Sequence, residues 1–172
     1  MGMDIYGVNP TKEEGKYFRN NVWWGRPLAE FIQVTYPNIA NKCEHWQTND
    51  GDGLAESDVK TLAERLEQDL VVGRVREYEE SRQLELASLD REPCQWCNST
   101  GIRTDHVGVS MGFPKEALPT ETAILVGRTH GTCNACEGIG TKENWELNYC
   151  FTEENVAEFL TFLKSCGGFT IC

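Results

Sequence analysis

The sequence lacks any long apolar run, and no stretch approaches the eighteen or so residues that a membrane-spanning helix requires. Residues 1–10 also lack the basic start and the apolar stretch of a secretory signal peptide. None of the 3 histidines begins a His-x-Glu motif. These absences argue against a membrane protein, against a secreted protein and against the zinc-dependent nucleobase deaminases, which need that motif. We therefore predict a soluble, cytoplasmic protein.

Positive charge is also scarce, because 16 Lys and Arg residues face 27 Asp and Glu residues and the net charge is −11. Residues 44–92 carry most of the excess, with fourteen acidic and six basic side chains. Such a charge repels nucleic-acid phosphates, so direct binding of DNA or RNA is disfavoured. It favours either simple solubility or attraction to a basic surface on a protein partner.

Two cysteine pairs stand out among the 8 cysteines, which in a reducing compartment favour metal binding over disulfides. Cys94 and Cys97 form one C-x-x-C pair, and Cys133 and Cys136 form a second one in the same frame. The second segment reads CNACEGIG, whereas the first reads CQWCNSTG, with Ser99 in place of the first glycine. This spacing lets a tight turn aim two thiolates at one ion at about 2.3 Å. We predict one structural zinc ion in a closed site of four cysteines, with no position left for catalysis.

The two C-x-x-C-x-G-x-G segments resemble the cysteine-rich zinc module of DnaJ-type co-chaperones. The resemblance covers residues 94–140 and implies a zinc-ligand role for the four cysteines. The chain departs from that module, because it has two repeats rather than four and a connecting segment of 35 residues. It also lacks the His-Pro-Asp signature of a J-domain, so a co-chaperone function does not follow.

Over most of its length the chain is similar to a family of small uncharacterised proteins of bacteria and their phages. The stretches that carry this similarity are MDIYGVNP, YFRNNVWWGRPL, NDGDGL, the two cysteine pairs and CGGFTIC. The resemblance implies one unified domain over residues 1–172, with the zinc knuckles as a subregion at 94–145. It implies no particular activity.

The remaining cysteines allow two interpretations. Cys43, His45, Cys166 and Cys172 are candidates for a second metal site, although no pair among them has C-x-x-C spacing. Since free cysteine is among the most buried residue types, core thiols are the simpler interpretation.

The acidic segment 49–52 also has two interpretations. Its carboxylates could offer oxygen ligands to a cation, although their spacing does not fit an EF-hand. Asp or Asn next to Gly is also an ordinary turn former. Asp50 and Asp52 are therefore candidate partner-binding residues only. Trp96, inside the first knuckle, is another candidate because tryptophan is enriched at the centres of protein interfaces.

The residue pattern in the first half of the chain predicts mainly helices. Residues 1–26 are rich in aromatic residues and are predicted to form an irregular lead that packs on the core. A helix is predicted from Pro27 and ended by Pro37. A second helical pattern starts after Ser57 as N-cap, and Gly73 leaves open whether it forms one long helix or two.

The second half predicts short strands and one further helix. Val, Ile and Thr are frequent in 102–110 and 122–129, which are predicted as strands. The last helix is predicted to begin near Thr152 and to end at Gly167, with 169–171 returning extended to the core. Together these features predict an α+β fold, in which a small helical domain packs on a short antiparallel sheet with a pair of zinc knuckles that share one four-cysteine site.

Three functions are compatible with these features. The first is a non-enzymatic, zinc-stabilised adaptor or regulator that binds another protein. The second is an acidic inhibitor that imitates a polyanion and occupies a nucleic-acid-binding or defence protein. The third is an enzyme that uses the 49–52 loop or a cysteine outside the knuckles.

Overall fold

The computed structural model describes residues 2–112 and 117–172, which form short strands and helices. In chain order the strands are β1 (Gly2–Gly7), β2 (Tyr17–Asn21), β3 (Asp52–Leu54), β4 (Glu92–Pro93), β5 (Ile102–Arg103), β6 (Gly131–Thr132), β7 (Thr141–Lys142) and β8 (Phe169–Ile171). The α-helices are α1 (Val22–Thr35), α2 (Pro37–Ala40), α3 (Glu56–Val72), α4 (Arg74–Ala87), α5 (His106–Met111), α6 (Thr120–Leu125) and α7 (Glu153–Cys166). Single 3₁₀ turns lie at Glu13–Gly15 and Trp145–Asn148. The predicted α+β class is confirmed.

The chain divides into two compact units. Unit 1 consists of Met1–Ala87 and Glu146–Cys172, and unit 2 of Ser88–Trp145. The predicted knuckle subregion 94–145 lies within unit 2, while one domain over residues 1–172 stays a prediction. Within the described ranges, no helix is both long enough and apolar enough to cross a membrane.

Unit 1 is built on a four-stranded antiparallel sheet with the order β2-β1-β8-β3. Ile5 of β1 lies opposite Ile171 of β8, and Leu54 of β3 lies opposite Phe169 of β8. Strand β8 therefore pairs on both of its edges, and residues far apart in the sequence meet across it. The strand predicted at 169–171 is confirmed and lies inside the sheet.

The core of unit 1 lies between this sheet and helices α1, α3 and α7. Phe169 contacts the rings of Trp46, Phe159 and Phe162, with centroids 5.7 to 6.3 Å apart. All four of these aromatic side chains are buried. Rings at such distances add to the burial of apolar surface that stabilises the core.

The irregular structure predicted over 1–26 is wrong, because these residues form a β-hairpin and the first turn of α1. Their predicted packing on the core is confirmed, since Met3 and Ile5 are buried in it. Strands β1 and β2 pair antiparallel, with Tyr6 opposite Tyr17. Aromatic and β-branched residues favour such pairing, but the partner strand is set by the fold and not by local sequence.

Helix α1 begins five residues before the predicted start at Pro27. Asn21 is the N-cap, and its side chain accepts hydrogen bonds from the backbone N–H groups of Trp23 (2.9 Å) and Trp24 (3.2 Å). Pro27 lies inside the helix and has no N–H to donate to the Trp23 carbonyl. The backbone N–H of Cys150 donates to that carbonyl instead, at 3.0 Å, which lets the helix tolerate the proline.

The helical pattern after residue 55 forms two helices, because Gly73 adopts a left-handed conformation with φ 85° and separates α3 from α4. The predicted N-cap at Ser57 is wrong by two residues, since Ala55 precedes the first turn. The prediction for α7 is confirmed: Thr152 caps its start by accepting from the N–H of Asn155, and Gly167 ends it with φ 62°.

The two strands predicted in unit 2 are wrong. Only Ile102–Arg103 of the first is extended, and the segment after it is the helix α5, capped by the side chain of Asp105. The first half of the second, 122–129, lies in the helix α6, which follows Pro119, and the other half is not extended in a strand. The β-propensity of Val, Ile and Thr did not decide these segments: the Asp105 side chain caps the start of α5, and Pro119 directly precedes α6.

We predict that Phe169→Ala destabilises unit 1 by about 3–5 kcal/mol, since it removes a buried ring from the centre of the core. Urea unfolding followed by near-ultraviolet circular dichroism measures this loss. Val34→Ala is the control, because Val34 is exposed on α1 and its loss should change stability by less than about 0.5 kcal/mol. Equal unfolding midpoints for the two variants would contradict the role assigned to β8.

Candidate metal centre

The two knuckles, 94–101 and 133–140, have the same backbone geometry. In each, the N–H of the last glycine donates to the sulfur of the second cysteine. The N–H of Gly101 lies 3.3 Å from the sulfur of Cys97, and that of Gly140 lies 3.2 Å from the sulfur of Cys136. Such bonds stabilise the thiolate form, which is the form that binds a metal.

The backbone of each knuckle turns through left-handed conformations at matching positions. Asn98 and Ser99 in the first knuckle have φ 49° and 63°, and Glu137 and Gly138 in the second have φ 54° and 84°. Ser99 thus adopts the conformation that the second knuckle gives to a glycine. This conformation costs about 1–2 kcal/mol for a residue with a side chain, so the knuckle geometry outweighs a local preference at Ser99.

The knuckles are also joined to each other through their backbones. The N–H of Cys94 donates to the carbonyl of Gly140 at 2.9 Å, and the N–H of Cys133 donates to the carbonyl of Gly101 at 2.8 Å. The ladders β4–β7 and β5–β6 extend this pairing on either side. Each cysteine pair is therefore held in place by the other knuckle.

Glycine is required where the two knuckles approach. A Cβ on Gly101 would lie 2.2 Å from the carbonyl oxygen of Gly138, and a Cβ on Gly140 would lie 2.4 Å from that of Ser99. Both distances are far below van der Waals contact. The sequence frame pointed to these glycines, but their contact across the two knuckles is visible only in the structure.

The sulfur atoms of the four cysteines form a compact cluster. Cys94 and Cys133 have their sulfurs 3.8 Å apart, and Cys97 and Cys136 have theirs 3.7 Å apart. All four lie within 4.8 Å of one another, and the exposed fraction of each residue is 5% or less. A tetrahedral ion with metal–sulfur bonds of about 2.3 Å has sulfur–sulfur edges of about 3.8 Å. The cluster therefore fits one tetrahedral metal ion.

The thiols of this cluster differ in acidity. Burial raises the pKa of Cys133 to about 11. Burial acts in the same sense on Cys136, but the N–H of Gly140 and the neighbouring thiols outweigh it and lower the pKa of Cys136 to about 7. One sulfur thus ionises readily, and a bound cation would bring the others to the thiolate form.

Arg103 is a buried cation beside the knuckles that sequence reasoning missed. Its guanidinium pairs with Asp105, donates to the side-chain oxygen of Asn134 at 2.9 Å and lies 5.3 Å from the ring centre of Trp96. It therefore contacts a residue of each knuckle loop. The hydrogen bond to Asp105 raises the pKa of Arg103, and the nearby Cys133 and Cys94 act in the same direction. Its charge is placed to offset the negative charge of thiolates.

The residues predicted as a second metal site do not come together. In the described part of the chain, the four knuckle cysteines are the only group of three or more potential metal ligands. Cys43 and Cys166 are buried in the core of unit 1, whereas Cys172 and His45 are exposed. The interpretation as core thiols thus describes Cys43 and Cys166.

Backbone N–H groups organise the acidic loop 49–52, and two of them come from the preceding residues Glu44 and His45. Asp52 accepts hydrogen bonds from the backbone N–H groups of Glu44 and His45, and these bonds lower its pKa together with the larger effect of the N–H of Gly53. Asp50 accepts from the Thr48 hydroxyl. These contacts describe a turn, while partner binding by Asp50, Asp52 and the half-exposed Trp96 stays a prediction.

Comparisons with known protein families, with curated proteins and with solved structures find no match to this chain. The resemblances to the DnaJ-type module and to the bacterial and phage family stay predictions. What stands independently of them is the cluster of four buried sulfurs at metal-binding distance.

We predict that Gly140→Ala destabilises unit 2 more than Gly127→Ala does, by about 1–3 kcal/mol. Gly127 is a matched control, because its φ of 82° is close to the 86° of Gly140 but no atom lies within 4 Å of its added Cβ. The difference therefore isolates the close approach of the knuckles. Hydrogen exchange of the unit 2 amides measures it, and equal protection in the two variants would refute the approach as a constraint.

Proposed function

We propose that the metal held by Cys94, Cys97, Cys133 and Cys136 is a single zinc ion with a structural role. Thiolate sulfur is a soft ligand, and four of them in a tetrahedral arrangement suit zinc. The supporting observation is that all four ligands are cysteines from the same protein and all are buried. A site filled in this way leaves no position for a water or a substrate. Bound zinc would supply folding energy to unit 2, with Arg103 offsetting the negative charge.

We predict one zinc ion per chain, and loss of that zinc with unfolding of the 94–145 region in Cys97→Ser or Cys136→Ser. Elemental analysis and amide hydrogen exchange measure the two effects. Cys172→Ser is the matched control, because Cys172 is exposed and outside the cluster. Protein purified without chelator that contains no zinc would refute the proposal, and two ions per chain would contradict a single site.

We further propose that the chain acts without catalysis, as an adaptor or regulator that binds another protein. Unit 2 exposes a run of three apolar residues at the end of α6, where Ile124, Leu125 and Val126 are all more than half exposed. Trp96 and Ile139 on the knuckle loops are also exposed. Exposed apolar side chains of this kind favour protein interfaces. The net charge of −11 favours a partner whose apolar patch has a basic rim.

The enzyme alternative receives little support from the thiols outside the knuckles. Burial raises the pKa of Cys43 to about 12 and that of Cys166 to about 11. Both stay protonated at neutral pH, and the protonated thiol is a poor nucleophile. Asp52 accepts from the backbone N–H groups of Gly53, Glu44 and His45, which favours a structural role for it.

The polyanion alternative is weakened by local pairing of the acidic side chains. Asp58 pairs with Lys42, Glu67 with Lys164 and Asp69 with Arg74. Glu79 accepts from the backbone N–H of Glu153. Lys42 and Lys164, which lie outside the 44–92 segment, thus offset two of its acidic side chains, and this function stays a prediction.

We predict that Leu125→Ser weakens capture of the partner from lysate of the native host by at least about fivefold, since it removes apolar area from the centre of the exposed run. Leu84→Ser is the control, because Leu84 is similarly exposed (74% against 86%) but lies on α4 of unit 1. Quantitative mass spectrometry of the captured proteins measures the difference. An equal yield with both variants would count against α6 as the binding surface.

A further inference from the structure

A polar pocket of about 290 Å³ lies in unit 1 where α3 gives way to α4. It is lined by Thr35, Tyr36, Arg65, Gln68, Asp69 and Arg74. All six lining side chains end in a hydrogen-bonding group, and two of them are arginines. The pocket takes no part in the zinc site, so what it binds is a separate question.

The floor of this pocket is a buried carboxylate with both oxygens occupied. Asp69 is 4% exposed, and one of its oxygens accepts from the hydroxyl of Tyr36 at 2.7 Å. The other oxygen accepts from the guanidinium of Arg74 at 2.9 Å. Asp69 therefore balances the charge of Arg74 and fixes its position, but one N–H engaged in this pair leaves most of the guanidinium donors available.

Arg65 adds a charge that nothing in the pocket balances. Within residues 2–112 and 117–172, it makes no hydrogen bond and no ion pair. Burial and the hydrogen bond to Asp69 raise the pKa of Tyr36, while the charges of Arg74 and Arg65 act to lower it. Both guanidiniums therefore lie close enough to affect the Tyr36 hydroxyl. With two arginines and one aspartate, the lining carries one net positive charge in a strongly acidic protein.

We propose that this pocket binds a phosphoryl group of a small molecule. A phosphoryl group carries a charge of about −1.5 to −2 at neutral pH and has three acceptor oxygens. Arg65, Arg74, Gln68 and Thr35 offer donors from several directions, which suits three oxygens better than the two of a carboxylate. The volume is at the lower end of ligand pockets, which are about 300–1,000 Å³, so the ligand is small.

The test is titration of the full chain with inorganic phosphate at constant ionic strength, followed by nitrogen-15 NMR of the arginine side chains. We expect the Nε–H signals of Arg65 and Arg74 to shift in a saturable way. Arg65→Gln should weaken binding about tenfold or more, because it removes a charge-assisted contact from an exposed side chain without disturbing the core. Lys60→Gln removes the same charge from the same helix outside the pocket, and it should leave the affinity unchanged.

Two further ligands separate the possible sources of the signal. O-phosphoserine should bind at least as well as inorganic phosphate if the pocket accepts a phosphoryl group on a small molecule. Acetate should bind more weakly. Tighter binding of acetate, equal binding by wild type and Arg65→Gln, or no saturable shift at Arg65 and Arg74 would each overturn the proposal.

Discussion

Unit 2 depends on four sulfur atoms for its interior. The buried apolar cluster that the described residues form there consists of Cys94, Cys97, Cys133 and Cys136, with Ala135 packed against it. Four thiols and one methyl group bury little apolar surface, at about 25 cal/mol per Å², compared with the aromatic core of unit 1. A segment with so small a core cannot offset the entropy of ordering its chain by burial alone. Backbone pairing between the knuckles adds to its cohesion, and the four clustered sulfurs could add bonds to a shared metal ion.

Several contacts within and between the knuckles hold the four cysteine sulfurs close together. Glycines allow the two turns to approach, and their N–H groups donate hydrogen bonds to cysteine sulfurs. The backbone N–H of the first cysteine in each knuckle donates to a glycine carbonyl of the other knuckle. Arg103 then adds a positive charge that touches both loops. The backbone contacts thus hold the four sulfurs at metal-binding distance from one another. Such preorganisation leaves little for the ion to rearrange on binding, which favours a permanent role over an exchangeable one.

Sequence predicted the parts of this protein that are encoded locally. The cysteine pairs fix their own turns, and α7 has its cap, its apolar stripe and its terminal glycine within twenty residues. The hairpin β1–β2 was missed although its strands are neighbours in the sequence, and the pairing of β1 with the distant β8 has no local signal. Residues 102–110 and 122–129 were assigned as strands on composition, although Asp105 and Pro119 mark helix starts. Arg103 could not be identified, since an arginine after a knuckle carries no spacing signal of its own.

The position of β8 has a consequence for how the chain folds. Strand β8 separates β1 from β3 in the sheet, yet it is synthesised after all of unit 2. As the chain leaves the ribosome, β1 and β3 must wait for their shared neighbour, while the residues of both knuckles are already available. Pairing across such long sequence separations is slow because of its loop-closure entropy. A metal crosslink between the knuckles, formed earlier, would shorten the effective loop between β3 and β8 and would lower its closure cost by less than about 0.6 kcal/mol.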